Sequence, residues 1–168
     1  DVTILDINVG RLRELDDFLF GRMTALASNR GTVADAVASA DLVIGAVLVP
    51  GAKAPHVITE DHVKAMPHGS VIVDVAIDQG GCVETSRETS HHEPTFVLHD
   101  VVHYAVGNMP GAVPRTSTFA LTNVTTPYLV ELATKGVDGA IDARPELASG
   151  INTRNGAVTH PIVAAALA

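Results

Sequence analysis

The run Val71-Ile-Val-Asp-Val-Ala-Ile-Asp-Gln-Gly-Gly81 constrains the fold more than any other stretch of this chain. Apolar residues flank one acid, Asp74, and the run closes on Asp78, Gln79 and two glycines. A short apolar run bounded by turn residues is the pattern of a strand covered on both faces in a parallel sheet. The pattern predicts a strand over roughly residues 70–76. Open α/β sheets bind ligands in the crevice outside the carboxyl ends of their strands. Asp78 then stands where a carboxylate can trade protons with a substrate. Read locally, the alternative is an Asp that caps a turn.

The rest of the chain alternates strand and helix patterns. Residues 2–6 read as a strand. Residues 8–19 read as a helix, with Val9, Leu12, Leu15 and Leu19 on one face and Asn8 as its cap. Residues 23–27 form the next expected strand, and Thr32 the cap of a helix to Ala38, with Asp35 in the capping-box position. Residues 42–48 are continuously apolar, the mark of a strand covered on both faces. Thr59 caps a helix to Met66, residues 82–94 are a polar loop, and residues 95–99 and 102–106 are strands. Beyond the Gly/Pro loop 107–114, helices are expected at 115–123, 127–134, 145–149 and 161–167. Alternation of this kind gives an α/β class with a mainly parallel sheet.

Charge and composition exclude several functions. Eleven basic against 19 acidic residues give a formal charge of −8, which argues against a nucleic-acid groove and its basic stripe. No apolar run approaches the roughly 20 residues of a membrane span. Cys82 is the only cysteine, so no intrachain disulfide forms, and a reducing, cytoplasmic setting is the expectation. With no second cysteine and no evident base, Cys82 is a weak nucleophile candidate. His99 and His103 are four apart in a strand-like stretch, where such residues stand about 13 Å apart, so no metal site is expected. The chain opens on Asp1 within a strand pattern, without Met, which suggests a processed chain or a fragment.

Three further places could carry chemistry. Asp6 ends a strand and precedes a helix. An acid at the end of the second strand of a dinucleotide-binding fold bonds the ribose hydroxyls, although an Asp near a helix start also serves the helix dipole. The matching Gly-x-Gly-x-x-Gly should lie about 20 residues earlier, and this chain begins too late to hold it. The first strand, central in the order 3-2-1-4-5-6, is then missing too, which leaves strands 2 and 3 without a neighbour joining them to strands 4–6. In Gly45-Ala-Val-Leu-Val-Pro-Gly51, small residues let a flat ring approach the backbone, with Val47 and Leu48 to cover it; simple strand burial is the alternative. In Gly107-Asn108-Met109-Pro110, the Asn108 amide can bond a carboxamide or a substrate carbonyl, or can be an ordinary turn Asn.

Four segments occur in order: Leu5-Asp-Ile-Asn8, Ala40-Asp-Leu-Val-Ile-Gly-Ala-Val-Leu-Val-Pro-Gly-Ala-Lys-Ala-Pro55, Val71-Ile-Val-Asp-Val-Ala-Ile-Asp-Gln-Gly-Gly-Cys82 and Asn108-Met-Pro-Gly-Ala-Val-Pro-Arg-Thr-Ser-Thr118. Together they resemble the alanine dehydrogenase and transhydrogenase family over nearly the whole chain, most densely from 40 to 128. The resemblance implies a doubly wound Rossmann domain over residues 1–108, without its first strand and glycine-rich loop. Residues 109–168 are then a C-terminal helical segment belonging to a catalytic domain.

The activity implied is reversible, NAD-dependent conversion of L-alanine to pyruvate and ammonium, in a cytoplasmic homohexamer. Asp78 matches the catalytic acid, which holds the amine or water and shuttles protons, and Asn108 orients substrate. Asp6 matches the ribose acid, Arg11 a basic position near the adenosine, and Ser28 an adenine-side contact. Val47 and Leu48 match the ring-covering pair, and Val75, Ala76, Ile77 and Asp78 line the nicotinamide side. Arg87 matches a further cofactor contact, and Val106, Gly107, Asn108 and Met109 match the loop that touches nicotinamide. Asp74 is expected to be structural, buried and bonded to backbone.

There are departures. Gly107 stands where the family more usually has Ala, residues 84–94 are variable, and His91-His92 is local to this chain. The family's catalytic His, its substrate-carboxylate Lys and Arg, and its phosphate loop match nothing here. The chain alone is therefore expected to be inactive, and to associate with the missing N-terminal half or with further copies. Two alternatives stand beside this reading: the NAD(H)-binding component of a proton-translocating transhydrogenase, and a non-catalytic, truncated nucleotide-binding module.

Overall fold

A computed structural model describes residues 1–20, 22–49 and 52–167. They form two compact units: Asp1–Val49 with Lys53–Asn108, and the residues from Met109 onward. The first unit runs β1 (Thr3–Asp6), α1 (Val9–Leu19), β2 (Thr24–Ala27), α2 (Arg30–Ala38), β3 (Leu42–Gly45), α3 (Glu60–Lys64), β4 (Val71–Asp74), β5 (Thr95–Leu98) and β6 (Val101–Tyr104). Asn8 caps α1, its side chain accepting from the Arg11 amide at 3.0 Å. For α2 the cap is Asn29 rather than Thr32. The Asn29 side chain accepts from the Thr32 amide, and the Thr32 hydroxyl accepts from the Asn29 amide, each at 3.0 Å. Thr32 is thus the far half of the capping box, because the helix has already begun at Arg30.

The strands form an α/β arrangement of Rossmann type, in two separate pieces. β1 pairs with β2 in parallel. The other sheet has the order β3-β4-β6-β5, parallel except for β5, which forms an antiparallel hairpin with β6. The hairpin turns on His99 and Asp100, both at positive φ (53° and 59°), as a two-residue loop of matching twist requires. Among the described residues no ladder joins β1–β2 to the four-stranded sheet.

That break has a visible cost on β3. A strand covered on both faces was expected over 42–48, but only Leu42–Gly45 pairs, and Leu42 and Ile44 are 55% and 61% exposed. Among the described residues β3 is an edge strand, with β4 along one side only. The core lies instead between the sheet and its helices, where Val33, Val37, Val63, Met66, Ile72 and Val101 are buried together.

The second unit differs from expectation in three ways. A helical stretch, α4 (Pro114–Ala143), made of two helices that meet at a kink, stands where two shorter helices were expected. Pro127 cannot donate to the preceding turn, yet the helix continues through it; helical geometry breaks instead at Gly136, with φ at 69°. Residues Pro145–Gly150 form a 3₁₀ turn rather than an α-helix. A small hairpin, β7 (Thr153–Arg154) and β8 (Ala157–Val158), joins through Asn155-Gly156 at φ 51° and 80°. Asn-Gly is the strongest short hairpin signal a sequence offers, and it was readable here. The chain closes on α5 (Pro161–Leu167).

Candidate functional site

The site is built around Asp74. β4 ends at this residue, short of the expected limit, and the chain turns at once into a 3₁₀ turn, Val75–Gln79, that carries Asp78. Asp78 therefore sits on a turn beyond the strand rather than on the strand itself. The cause is the Asp74 carboxylate, which is fully buried and accepts from four backbone contacts. The Ala76 amide lies 3.1 Å from Oδ1, the Cys82 amide 3.3 and 3.1 Å from the two oxygens, and the Val83 amide 3.2 Å from Oδ2. A buried charge held by several N–H donors organises its loop strongly. Asp74 is structural, buried and bonded to backbone.

The two glycines let the loop return to that carboxylate. Gly80 and Gly81 have φ of 95° and 78°, a region open to glycine and costly for other residues. A methyl at Gly81 would lie 2.9 Å from Asp74 Oδ2, and one at Gly45 would lie 2.5 Å from Cys82 Sγ. The returning loop is also tied from outside: the Ala54 amide donates to the Gln79 carbonyl at 2.9 Å, and the Val57 and Ile58 amides to the Cys82 carbonyl at 2.9 and 3.1 Å. Burial, with the Asp74 charge beside it, pushes the Cys82 thiol up to about 11. Cys82 is packing, not a nucleophile, because a nucleophilic cysteine needs its thiolate.

Asp78 meets the second loop. The Asn108 backbone amide donates to both its carboxylate oxygens, at 3.1 and 3.2 Å. Asn108 is in the left-handed region, φ 53°, at a cost of roughly 1 kcal/mol outside glycine. His91 Nε2 donates to the Asn108 carbonyl at 3.2 Å. The segment before His91 runs beside the Asn108 loop: the Thr89 amide donates to the Ala105 carbonyl at 2.9 Å, and the Gly107 amide to the Thr89 carbonyl at 3.3 Å. Glu88 also faces this loop; a methyl at Gly107 would sit 2.2 Å from Glu88 Oε1 and 3.4 Å from Asp78 Oδ1. The sequence marks His91-His92 as a departure but gives neither it nor Glu88 a role at this loop, because both reach the loop only through the fold.

The other candidate residues fall in distinct places. Asp6 is exposed at the end of β1, one carboxylate oxygen accepting from the Asn8 amide at 2.7 Å. Ser28 is half-buried just after β2, its amide bonded to the Asp6 carbonyl at 2.9 Å. Arg11 is exposed on α1 and ion-paired with Glu14 at 2.8 Å. Beyond β3, Val47 is half-buried and packs on the core, while Leu48 is exposed; Pro50 and Gly51 of that loop lie outside the described residues. Val75 is exposed, but Ala76 and Ile77 turn into the protein, as does the fully buried Val106. Gly107 is half-buried, and Met109 begins the second unit. Arg87 lies over the Phe96 ring at 4.3 Å, and Phe96 stacks on His103 with ring centroids 4.8 Å apart. Buried His103 is held by Thr85 Oγ1 at 2.8 Å and the Val101 carbonyl at 3.1 Å, and burial lowers its pKa below the ordinary histidine value.

Chemically, the arrangement offers one exposed carboxylate on a rigid turn, fixed by one backbone amide, with an exposed Asn side chain beside it. Such a carboxylate can accept a proton from an amine or a water and return it.

The family described as Alanine dehydrogenase/PNT, C-terminal domain, matches residues 1–161. The chain is 59% identical to the alanine dehydrogenase of Bacillus subtilis (strain 168) over 165 residues, covering 98% of this chain and 44% of that protein. It is 58% identical to the alanine dehydrogenase of Geobacillus stearothermophilus, covering 99% of this chain and 45% of that protein. A solved L-alanine dehydrogenase superposes with a TM-score of 0.86 at 50% identity, over 99% of this chain and 46% of that one. A transhydrogenase from Sinorhizobium meliloti shares the fold, with a TM-score of 0.68 at 23% identity, over 95% of this chain and 42% of that one. The chain thus spans less than half the length of the relatives it matches. It belongs to the alanine dehydrogenase/PNT family, in which it corresponds to the C-terminal domain.

Proposed function

We propose that this chain is the NAD-binding and acid–base part of an amino-acid dehydrogenase that interconverts L-alanine with pyruvate and ammonium. The observation that carries the reading is the Asp78 carboxylate, exposed on a turn past the carboxyl end of β4 and fixed by the Asn108 amide. In an α/β sheet that is the ligand side. Identity of 58–59% to two alanine dehydrogenases supports the substrate class.

The residues present fit a dinucleotide. Asp6 is an exposed acceptor at the end of β1, suited to ribose hydroxyls, and it repels a 2′-phosphate, which favours NAD. Leu48 and Val75 leave apolar surface exposed past β3 and β4, suited to flat rings. We assign Ser28 and Arg11 to the adenosine side, and Arg87 and Gly107 to the nicotinamide side. When bound, the cofactor supplies the hydride acceptor. Asp78 holds the substrate amine or the attacking water and moves protons at its carboxylate oxygens, while the Asn108 side-chain amide orients the substrate carbonyl or the carboxamide. The remaining groups come from outside these residues, so the chain by itself is inactive. The edges of β1 and β3, unpaired among the described residues, are the place for a further parallel strand. Exposed Phe119, Leu121, Val124, Leu129 and Val130 on α4 suit cover by that missing part or by further copies in a cytoplasmic homohexamer.

The test joins this chain to the N-terminal portion of the Bacillus subtilis relative and measures alanine-dependent NADH formation. Activity with L-alanine is expected. A joined protein that binds NADH yet reduces no NAD with L-alanine would overturn the reading.

A further inference from the structure

We propose that His91 is a positioning residue for Asp78, acting through the Asn108 backbone. The inference rests on the acid–base role given to Asp78 above, and its first test does not depend on that role. Asn108 is gripped from two sides by two separate segments. Its amide, in the peptide preceding its Cα, donates to both oxygens of Asp78. Its carbonyl, in the peptide following its Cα, accepts from His91 Nε2 at 3.2 Å. Fixing both peptides fixes φ and ψ of the one residue between them, and φ here is +53°, a conformation a non-glycine residue leaves readily unless held. When that residue relaxes, its amide swings away from Asp78 and the carboxylate loses its orienting bond.

The imidazole can serve as this clamp because its backbone is itself anchored. Thr89, two residues before it, exchanges hydrogen bonds with the same loop, to the Ala105 carbonyl at 2.9 Å and from the Gly107 amide at 3.3 Å. The Thr89 hydroxyl donates to the Pro94 carbonyl at 2.9 Å, which closes the 89–94 loop that carries the histidine. The acceptor is a carbonyl, so the ring must present N–H at Nε2. Neutral and protonated imidazole both meet that need, so the clamp needs a donor at that reach and not a charge. An Asn at 108 suits the arrangement, being among the few side chains that tolerate the left-handed region.

Nuclear magnetic resonance on the 168-residue chain tests the clamp without catalysis. The Asn108 amide proton should shift as its carboxylate partner is titrated with acid. A Glu88→Gln background removes the other carboxylate facing that loop. His91→Ala and His91→Phe should cut the amplitude of that shift at least twofold, and His91→Gln, which restores an N–H donor, should recover most of it. Unchanged amplitude in His91→Ala, or no recovery in His91→Gln, overturns the proposal. In the joined protein, the same variants should lower kcat about tenfold, with the NADH dissociation constant and melting temperature unchanged and His91→Gln rescued. A wild-type kcat in His91→Ala overturns the positioning role. Absence of alanine-dependent activity in the joined parent protein instead overturns the functional reading, and leaves the resonance measurement to decide the clamp.

Discussion

The Asn108 amide lies 3.1 Å from one oxygen of Asp78 and 3.2 Å from the other, and so bridges the turn after β4 to the loop after β6. Thirty residues separate the pair in sequence. This contact turns a surface carboxylate into an oriented one. Replacing Asp78 by Asn in the joined enzyme removes the proton acceptor while leaving an oxygen for the Asn108 amide. Turnover should fall at least about 100-fold, the range of a lost general acid–base group, with NADH affinity within about twofold. Steady-state kinetics with a fluorescence titration checks both, and near-normal turnover removes Asp78 from the chemistry.

Asp74 carries the loop that presents Asp78. Asp74→Asn puts an amide donor against backbone N–H groups that need acceptors, and removes the buried charge they solvate. Unfolding by urea should show a loss of about 3 kcal/mol, the scale of charge-assisted hydrogen bonds left unmade. A loss under about 1 kcal/mol contradicts the organising role given to this carboxylate.

Gly45 and Cys82 share one space. Gly45→Ala places a methyl 2.5 Å from Cys82 Sγ, with both groups buried, and overpacking of this kind costs about 1–3 kcal/mol. In a Cys82→Ala background the sulfur is gone and the cost should largely disappear. A double-mutant cycle by chemical denaturation measures the coupling; additive losses would show that the methyl meets something else.

Gly107 gives the opposite outcome from a nominally worse clash. A methyl there would lie 2.2 Å from Glu88 Oε1, but Glu88 is exposed and its carboxylate is the free end of a flexible side chain. Gly107→Ala should move stability by less than about 0.5 kcal/mol. Thermal unfolding checks it, and a loss comparable to that of Gly45→Ala would mean that Glu88 is held in place.

His103 should make the fold acid-sensitive. Burial lowers its folded pKa below the ordinary 6.5, so the unfolded chain takes up the proton first as pH falls. Its contribution is complete above the unfolded pKa and declines through the window between 6.5 and the lower folded value. Urea midpoints measured from pH 8 to 5 should drop across that window. His103→Gln, which keeps a polar group near Thr85 and does not titrate, should flatten the drop. An equal slope in both proteins assigns the sensitivity elsewhere.

Local chemistry settled much of this molecule before any tertiary contact was known. Asn8 and Thr59 cap their helices because a side-chain oxygen beside free amides is a short-range interaction. The apolar run at 71 encodes a buried strand, and Asp74 within it had to be bonded to backbone because a buried charge must be satisfied. The motif order also marked Asp6, Asp78 and Asn108 as candidates.

What the sequence left open depended on distant partners. Whether residues 46–48 extend β3 turns on a neighbouring strand, and the described residues supply none on that side. Whether the chain breaks at Pro127 or at Gly136 turns on the packing of the whole helix. His91 and Glu88 reach the Asn108 loop only because the segment from 88 to 91 is strapped beside residues 105–107. The sequence by itself determined which side chains carry charge, caps and turns. Only the fold decided which of them meet, because hydrogen bonds act over about 3 Å, while Asp78 and Asn108, which meet at the candidate site, lie 30 positions apart.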